Sequence, residues 1–384
     1  FFRGLTYSGK DEVDKSNNIV LRSNNIDLST NSLNFDELKF ISDSITIPQD
    51  KKLRKNSIFM CMSNGSKQHL GKVAFIEKEY PYAFGGFMGL IVPNEDKLVP
   101  KFTYYYFCSQ KFKAYLSAIG NGANINNIKY IDIAKDSIPL PPLSTQLAIV
   151  SELDKINELI RLKKEQLKDF DNLAQSLFYE MFGDPVENEK GWEVKKLGEV
   201  CNITSSKRIF ADEYTDKGIP FYRSKEVIER SKGLPISVEL FISPERYSEI
   251  KEKFGIPNVG DILVTAVGTI GKIWSIDTDE KFYFKDGNLV WLKDIDSSLV
   301  NTIFFRRLLE YLIDEYKKIN ANGAAYSALT IAKLKLMQCP LPPLPLQQLF
   351  AQLIEQIEHQ KAEVQKAITD LETLLASRMQ YWFE

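Results

Sequence analysis

Two long stretches of the chain carry apolar residues at alternating steps of three and four. In the first the apolar positions are Leu153, Ile156, Ile160, Leu167, Phe170, Ala174, Leu177 and Met181, with Lys163 as the one break. In the second they are Ile354, Ile357, Val364, Ile368, Leu371, Leu375 and Trp382, with Lys361 and Arg378 interrupting the series. This is the spacing of a heptad repeat, whose apolar stripe is shielded from water only against another helix. The pattern predicts two long helices that pair with each other, with two amphipathic helices packed on separate domains as the alternative.

The helices belong to a duplication with a shift of 201 residues, from Pro139 to Pro340. Three pairs of segments match at or close to this shift: Pro139-Leu140-Pro141-Pro142-Leu143 with Pro340-Leu341-Pro342-Pro343-Leu344, Asn121-Gly122-Ala123 with Asn322-Gly323-Ala324, and Arg22-Ser23 with Arg223-Ser224. Whole globular segments are therefore duplicated along with the helices. Because each helix must leave its own globular unit, chain geometry favours an antiparallel pair with a pseudo-two-fold axis.

The remaining segments alternate short apolar runs with Asn, Gly, Ser and Pro, a pattern typical of strands and turns. Strands are predicted at residues 19–21, 57–62, 73–76, 262–265 and 273–275, and matching helices at 102–119 and 302–319. The chain then divides into a first globular domain at 1–138, a stem and helix at 139–182, a linker and second domain at 183–339, and a second stem and helix at 340–384. Residues 191–200 have no counterpart before Phe1, so the first domain is expected to have an incomplete N-terminal edge.

Composition narrows the function classes. The net charge of −2 gives no overall support for nucleic-acid binding, although a neutral chain can still carry a basic face. The four cysteines occur singly and only two histidines could join them, which argues against a zinc site or a disulfide framework. No apolar run reaches the length of a membrane span, so a soluble, cytoplasmic protein is expected.

No catalytic motif is recognisable. The chain lacks the Asn/Asp-Pro-Pro-Tyr/Phe tetrapeptide of an adenine methyltransferase and the phosphate-binding loop of a helicase. The glycine-rich run Phe84-Gly85-Gly86-Phe87-Met88-Gly89 has no strand-to-helix frame for a dinucleotide, and the nuclease-like triplet Glu249-Ile250-Lys251 is expected by chance in a chain that is 26% charged. Autonomous catalysis is therefore not expected.

Polar and basic residues at strand connections are the candidates for DNA contact. The turns after residues 62 and 265 each combine small residues, backbone donors and a lysine, which suits a phosphate or a base edge. The candidates in the first domain are Arg22, Ser23, Asn64, Lys67, Lys72 and Asn124, and in the second Lys207, Arg208, Arg223, Lys225, Thr269, Lys272, Tyr326 and Ser327. Tight hairpins, solvated surface charge and drift in unconstrained loops remain the alternatives.

The repeated stem, Gln146 and Gln347 after it, the long helix, Met181-Phe182-Gly183-Asp184-Pro185 and residues 191–200 together resemble the DNA-specificity subunit of Type I restriction-modification systems. The likeness covers almost the whole chain. It implies an α+β fold in which two α/β target-recognition domains are separated by two long helices that form an antiparallel coiled coil.

The resemblance also implies a function. Each domain would read one half of a bipartite double-stranded DNA target, and the helices would set the gap. A helix over residues 144–182 would be roughly 58 Å long, the length of about 17 base pairs. Two modification (methyltransferase) subunits that use S-adenosylmethionine and two restriction subunits that use ATP and Mg²⁺ would dock on the chain, which itself would bind no cofactor and no metal. A fused-type restriction enzyme's specificity half and a coiled-coil scaffold that binds protein remain alternatives.

Overall fold

The computed structural model describes residues 1–66, 69–120, 127–320 and 328–384. The chain forms two compact units, the first made of Phe1–Gln166 with Val364–Glu384 and the second of Leu167–Glu363. Two helices of 40 residues each contribute one part to each unit. No helix in these described ranges is long and apolar enough to cross a membrane.

The first unit places two four-stranded sheets beside a group of helices. Its strands are β1 (Phe2–Arg3), β2 (Glu12–Val13), β3 (Asn18–Leu21), β4 (Ile26–Asp27), β5 (Ser32–Leu33), β6 (Lys39–Ile41), β7 (Ser57–Cys61), β8 (Val73–Ile76), β9 (Ala83–Phe84) and β10 (Met88–Ile91). Its helices are α1 (Pro100–Cys108), α2 (Gln110–Gly120), α3 (Tyr130–Ala134) and the first part of α4 (Leu143–Phe182). The sheets have the orders β1-β10-β7-β8 and β2-β6-β3-β9, and β4 pairs with β5.

The second unit repeats this plan. Its strands are β11 (Glu193–Lys196), β12 (Asn202–Thr204), β13 (Tyr214–Thr215), β14 (Ile219–Tyr222), β15 (Phe241–Ile242), β16 (Ile262–Thr265), β17 (Ile273–Ser275), β18 (Tyr283–Phe284), β19 (Leu289–Lys293) and β20 (Gln338–Leu341). Its helices are α5 (Leu197–Val200), α6 (Ser224–Ser231), α7 (Pro244–Phe254), α8 (Thr302–Asn320), α9 (Ile331–Leu336) and the first part of α10 (Leu344–Phe383). The sheet orders are β12-β19-β16-β17, β13-β15-β14-β18 and β11-β20.

Sheet topology confirms the duplication. The order β1-β10-β7-β8 corresponds strand for strand to β12-β19-β16-β17, and β2-β6-β3-β9 corresponds to β13-β15-β14-β18. Each unit also contains one parallel pair at the same place, β3 with β9 and β14 with β18. The predicted strands and the hairpins between them are confirmed at β7–β8 and β16–β17.

One predicted helix is wrong. Residues 102–119 form two helices, because Ser109 is extended and its buried hydroxyl caps both ends of the break. The hydroxyl of Ser109 donates to the Tyr106 carbonyl at 2.7 Å and accepts from the Phe112 amide at 3.3 Å. The equivalent helix of the second unit, α8, runs unbroken.

The long helices pack against each other in antiparallel fashion, as predicted. In the first unit the Glu152 carboxylate accepts hydrogen bonds from the Arg378 guanidinium and from the indole nitrogen of Trp382, and Lys164 pairs with Glu372 at 2.8 Å. The hydrogen bonds from Arg378 and Trp382 lower the pKa of Glu152, and the bond from Arg378 is the larger cause. From Glu152 to Lys164 the residue number rises along α4, while the paired residues on the other long helix fall from Arg378 to Glu372. The two helices therefore run antiparallel.

In the second unit Asp171 of α4 pairs with Lys361 of α10 at 2.7 Å. Further along, the rings of Phe178 and Phe182 lie 5.7 and 5.2 Å from that of Phe350. All three rings are fully or almost fully buried in the apolar core of this unit. The antiparallel order therefore holds in both units, and the predicted α+β architecture of duplicated domains with a coiled coil is confirmed.

A buried glutamine fixes the start of each long helix. The Gln146 side chain accepts from the Val99 amide at 2.8 Å and donates to the carbonyls of Lys97 and Pro141 at 2.9 and 2.8 Å. Gln347 accepts from the Asn301 amide at 2.8 Å and donates to the carbonyls of Leu299 and Pro342 at 3.0 and 2.8 Å. Both side chains are completely buried, so each stem is tied to its own unit by the same three bonds.

Candidate nucleic-acid interface

A cleft of about 710 Å³ opens on the first unit between the two sheets. It is lined by Arg3, Leu5, Thr6, Tyr7, Gly9, Glu12, Arg22, Ser23, Asn24, Ser63, Asn64, Gly65, Gly85, Gly86, Phe87 and Met88. Three of the residues predicted from the sequence, Arg22, Ser23 and Asn64, meet here although 41 residues separate the last two. Hydrogen-bond donors, amides and an aromatic ring therefore share one surface.

Arg22 sits where strand β3 ends and a short 3₁₀ turn, Ser23–Asn25, begins. Its backbone amide donates to the side-chain oxygen of Asn25 at 2.8 Å, and the Asn25 amide group in turn donates to the carbonyls of Asn34 and Glu37. The guanidinium Nε is buried and has no hydrogen-bond partner within the described residues. The backbone of Arg22 is thus fixed while its charge is left available.

Asn64 is held beside Arg22. Its amide nitrogen donates to the Ser23 hydroxyl at 3.1 Å, and its oxygen accepts from the Ser66 backbone amide at 2.9 Å. These bonds join the β7–β8 turn to the turn after β3. Lys67, predicted on the same turn, and Asn124 lie outside the described residues.

The electrostatic balance of the cleft is positive. Arg3 and Arg22 contribute two positive charges with no ion-pair partner in the ranges that the structure describes. Glu12 is the acidic residue of the lining, and its carboxylate is paired with Lys39. Burial raises the pKa of the Tyr7 hydroxyl, and the charge of Arg22 acts against that rise. An anionic ligand would find its charge complemented here.

Lys72 does not face this cleft. Only 8% of its surface is exposed, and its ammonium donates to the Ile26 carbonyl at 2.9 Å. Burial lowers the pKa of this ammonium, with the charges of Cys61 and Asp27 acting in the opposite direction. The structure therefore gives Lys72 a packing role between β4 and the β7–β8 hairpin, and a contact with DNA would need the side chain to leave it.

Most residues of the cleft were not named as candidates by the sequence analysis, and Arg3 and Phe87 are the two among them that matter most for binding. Phe87 belongs to the glycine-rich run that was considered only for a cofactor, and 73% of its surface is exposed. The signal available in the sequence was the pair Gly85-Gly86 directly before a large aromatic residue, which is typical of a turn that presents a side chain. Arg3 gave no such signal.

Three of the candidate basic residues of the second unit are held in ion pairs. Arg223, the counterpart of Arg22, donates at 2.9 Å to both Glu226 and Glu239, and Lys225 also pairs with Glu239 at 2.9 Å. The Lys225 and Arg223 bonds lower the pKa of Glu239, so its carboxylate stays ionised at neutral pH. Arg208 pairs with Asp286 at 2.7 Å.

The other predicted residues of the second unit are distributed over several loops. The Lys207 amide donates to the Tyr283 hydroxyl at 2.7 Å, and its ammonium lies 5.3 Å from the centre of the Phe254 ring. Thr269 and Lys272 are exposed on the β16–β17 turn, where the Lys272 amide donates to the Thr265 hydroxyl at 2.9 Å. Tyr326 and Ser327 lie outside the described residues.

Comparison with known proteins gives one consistent result. The profile of the Type I restriction modification DNA specificity domain family matches residues 3–169 and 189–373. An inferred type I restriction enzyme specificity subunit of Haemophilus influenzae is 29% identical over 276 residues, which are 70% of this chain and 66% of that protein. The MjaIX specificity subunit of Methanocaldococcus jannaschii is 27% identical over 303 residues, 74% of this chain and 68% of that protein. The match thus spans about two thirds of each relative.

The fold also has a solved relative. A chain from a structural study of complex assembly and conformational transition of the type I R-M system superposes with a TM-score of 0.62. The alignment covers 94% of this chain and 90% of that chain at 20% identity, a level at which the likeness concerns the fold alone.

Proposed function

The chain belongs to the Type I restriction modification DNA specificity domain family, and from that premise we propose that it is the non-catalytic specificity subunit of a Type I restriction-modification complex. The observation that carries the proposal is the positively charged cleft of the first unit, where Arg22, Ser23 and Asn64 converge. Arginine and asparagine on a fixed backbone can contact phosphates and base edges.

Each unit reads one half of a bipartite target. The duplicated sheets support this arrangement, because two similar scaffolds can carry different reading side chains. The long helices set the gap between the two half-sites. Helices of 40 residues are roughly 60 Å long, which limits the gap to about 17 base pairs. The buried glutamines at the two stems make the helix starts rigid, as a spacer requires.

Two modification subunits and two restriction subunits dock on this chain in the cytoplasm and perform the chemistry. S-adenosylmethionine, ATP and Mg²⁺ are bound by those partners, and the specificity subunit directs adenine methylation or cleavage to the target. This chain contributes recognition and geometry.

The test is methylome sequencing of the source organism with and without this gene, together with purification of the tagged chain. We expect one bipartite motif to lose its adenine methylation when the gene is deleted, and methyltransferase subunits to co-purify with the chain. An unchanged methylome and a chain that retains no duplex DNA in the presence of its partners would contradict the proposal. Recovery of one large catalytic chain in place of two kinds of subunit would indicate the fused-type system.

A further inference from the structure

We propose that Phe87 is a base-contacting, specificity-determining residue of the first unit, and that Asn288 is its counterpart in the second. This inference rests on the proposed function and deepens it. It assigns to each unit one side chain that distinguishes base pairs, in addition to the charged residues that bind the DNA backbone.

Phe87 is presented by a rigid backbone. Its carbonyl accepts hydrogen bonds from the amides of Met62 and Ser63 at 2.9 and 3.0 Å. The turn before it is closed by a bond from the Met88 amide to the Gly85 carbonyl at 2.8 Å, and Gly85 itself donates to the Leu21 carbonyl at 2.9 Å. These bonds attach the turn to strand β3 and to the residues that follow β7, so the backbone of Phe87 is fixed at the cleft.

The ring is nevertheless left in water. With 73% of its surface exposed, Phe87 forgoes most of the free energy that burial of a phenylalanine would provide. Aromatic side chains are enriched where proteins meet their partners, and Phe87 belongs to the lining of the cleft. In the grooves of DNA a phenylalanine can pack on a thymine methyl group or insert between base steps.

The surroundings of Phe87 favour nucleic acid as the ligand over a protein. Arg3, Arg22 and Asn64 line the same cleft, and the carboxylate of Glu12 is neutralised by Lys39. Arginines that lack a protein partner can bind phosphates on either side of a base that the ring contacts. A protein partner would more often meet an apolar patch with a polar rim.

Asn288 occupies the equivalent position in the second unit. Its carbonyl accepts from the Ala266 amide at 2.8 Å, as the Phe87 carbonyl accepts from the β7–β8 turn. The next residue, Leu289, pairs with Thr265, just as Met88 pairs with Cys61. The Asn288 side chain is half-buried and forms no hydrogen bond within the described part of the chain. An asparagine in this situation can bind adenine through two hydrogen bonds.

The test uses the complete complex, with its modification subunits, carrying Phe87→Ala or Asn288→Ala. We expect each variant to relax one position of the methylated motif, in different halves, and to reduce affinity for the cognate duplex by roughly 5- to 100-fold. Affinity for duplex of unrelated sequence should stay the same, because neither side chain is charged. Leu28→Ala is the matched control, since Leu28 is 47% exposed and does not line the cleft.

Three outcomes would overturn the assignment. The first is a Phe87→Ala complex that methylates the wild-type motif with unchanged affinity. The second is a Phe87→Ala chain that no longer binds its modification subunits, with any remaining methylation still at the wild-type motif. That result would identify Phe87 as a residue that docks a protein partner. The third, a wild-type complex that methylates no motif at all, would reject the proposed function itself, and so the two failures can be told apart.

Discussion

The two units share one scaffold but differ in the ion pairing of one pair of equivalent arginines, Arg22 and Arg223. Arg22 and Arg223 both follow the third strand of their sheet, and each backbone amide donates to the side chain three residues later. In the first unit that side chain is the neutral Asn25, whereas in the second it is Glu226, which also binds the Arg223 guanidinium. The glutamate at this capping position, together with Glu239, therefore neutralises the second arginine, whereas the first has no ion-pair partner among the described residues.

This difference teaches how a duplicated scaffold can acquire two specificities. The backbone frame is retained: the capping hydrogen bond from the arginine amide, the parallel strand pair and the stem glutamine recur in both units. The charge and the side chain at the reading position change, from Arg22 with Phe87 to the neutralised Arg223 with Asn288. Mutations at the shared positions should therefore change stability equally in the two units. Mutations at the positions that differ should change DNA binding unequally.

The largest effect is expected at a shared position. Gln146→Ala and Gln347→Ala each leave one backbone amide and two backbone carbonyls, most of them partly buried, without their partner. Each should lower the free energy of unfolding by roughly 2 kcal/mol, and by similar amounts. Thermal and urea denaturation of the full chain measures this, with the exposed Gln175→Ala as control. A large loss for one glutamine and none for the other would break the equivalence of the stems.

The next largest effect separates the two arginines. Arg22→Ala should weaken binding of the complex to its cognate duplex by about 1–3 kcal/mol, because its charge is available to DNA. Arg223→Ala should cost less, because Glu226 and Glu239 already neutralise that side chain and would be released with it. Titrations of affinity against salt concentration measure both variants on one duplex. Equal losses in affinity and salt slope would contradict the comparison.

Much of this architecture was predictable, because helices and strands leave local patterns. The end of the proline stem places the start of α4 within one residue of the observed one, and Leu153, Ile156, Ile354 and Ile357 are buried as the heptad repeat requires. The break at Ser109 was not predictable, because the apolar pattern of residues 102–119 continues through it. There a buried hydroxyl, not the pattern, ends the helix.

The candidate site was predictable only in part. Arg22, Ser23 and Asn64 were identified as polar residues at strand connections, and the fold brings them together. The pairing of Arg223 with Glu239 could not be foreseen, because it depends on how a loop 16 residues away folds back. The exposure of Phe87 depends likewise on bonds to Met62 and Ser63 in a distant strand connection.

A smaller effect should come from releasing the basic residues of the second unit. Glu239→Gln removes a carboxylate that Arg223 and Lys225 share, so the Lys225 charge becomes available to phosphates while Arg223 keeps its bond to Glu226. We expect tighter DNA binding and a slope of log affinity against log salt that is steeper by about 1. Glu252→Gln, which removes an equal charge from an exposed residue, is the control. If both variants change affinity alike, net charge and not this ion pair is responsible.

The smallest effect on DNA binding is expected at Lys72. Because its ammonium is buried on the Ile26 carbonyl, Lys72→Met should leave the salt slope unchanged while altering the melting temperature. Lys272→Met, at an exposed lysine of the second unit that has no ion-pair partner among the described residues, gives the comparison. A slope reduced by about 1 in Lys72→Met would instead return Lys72 to the DNA-contacting residues.

The most direct test of the account is an exchange of one domain. Residues 1–138 would be replaced by the corresponding domain of the Haemophilus influenzae relative, and the methylated motif of cells carrying the hybrid chain would be sequenced. The account predicts that one half of the motif changes, while the other half and the length of the gap stay as in the wild type. A motif that changes in both halves, or one that keeps both halves unchanged, would contradict the claim that each unit reads its own half-site.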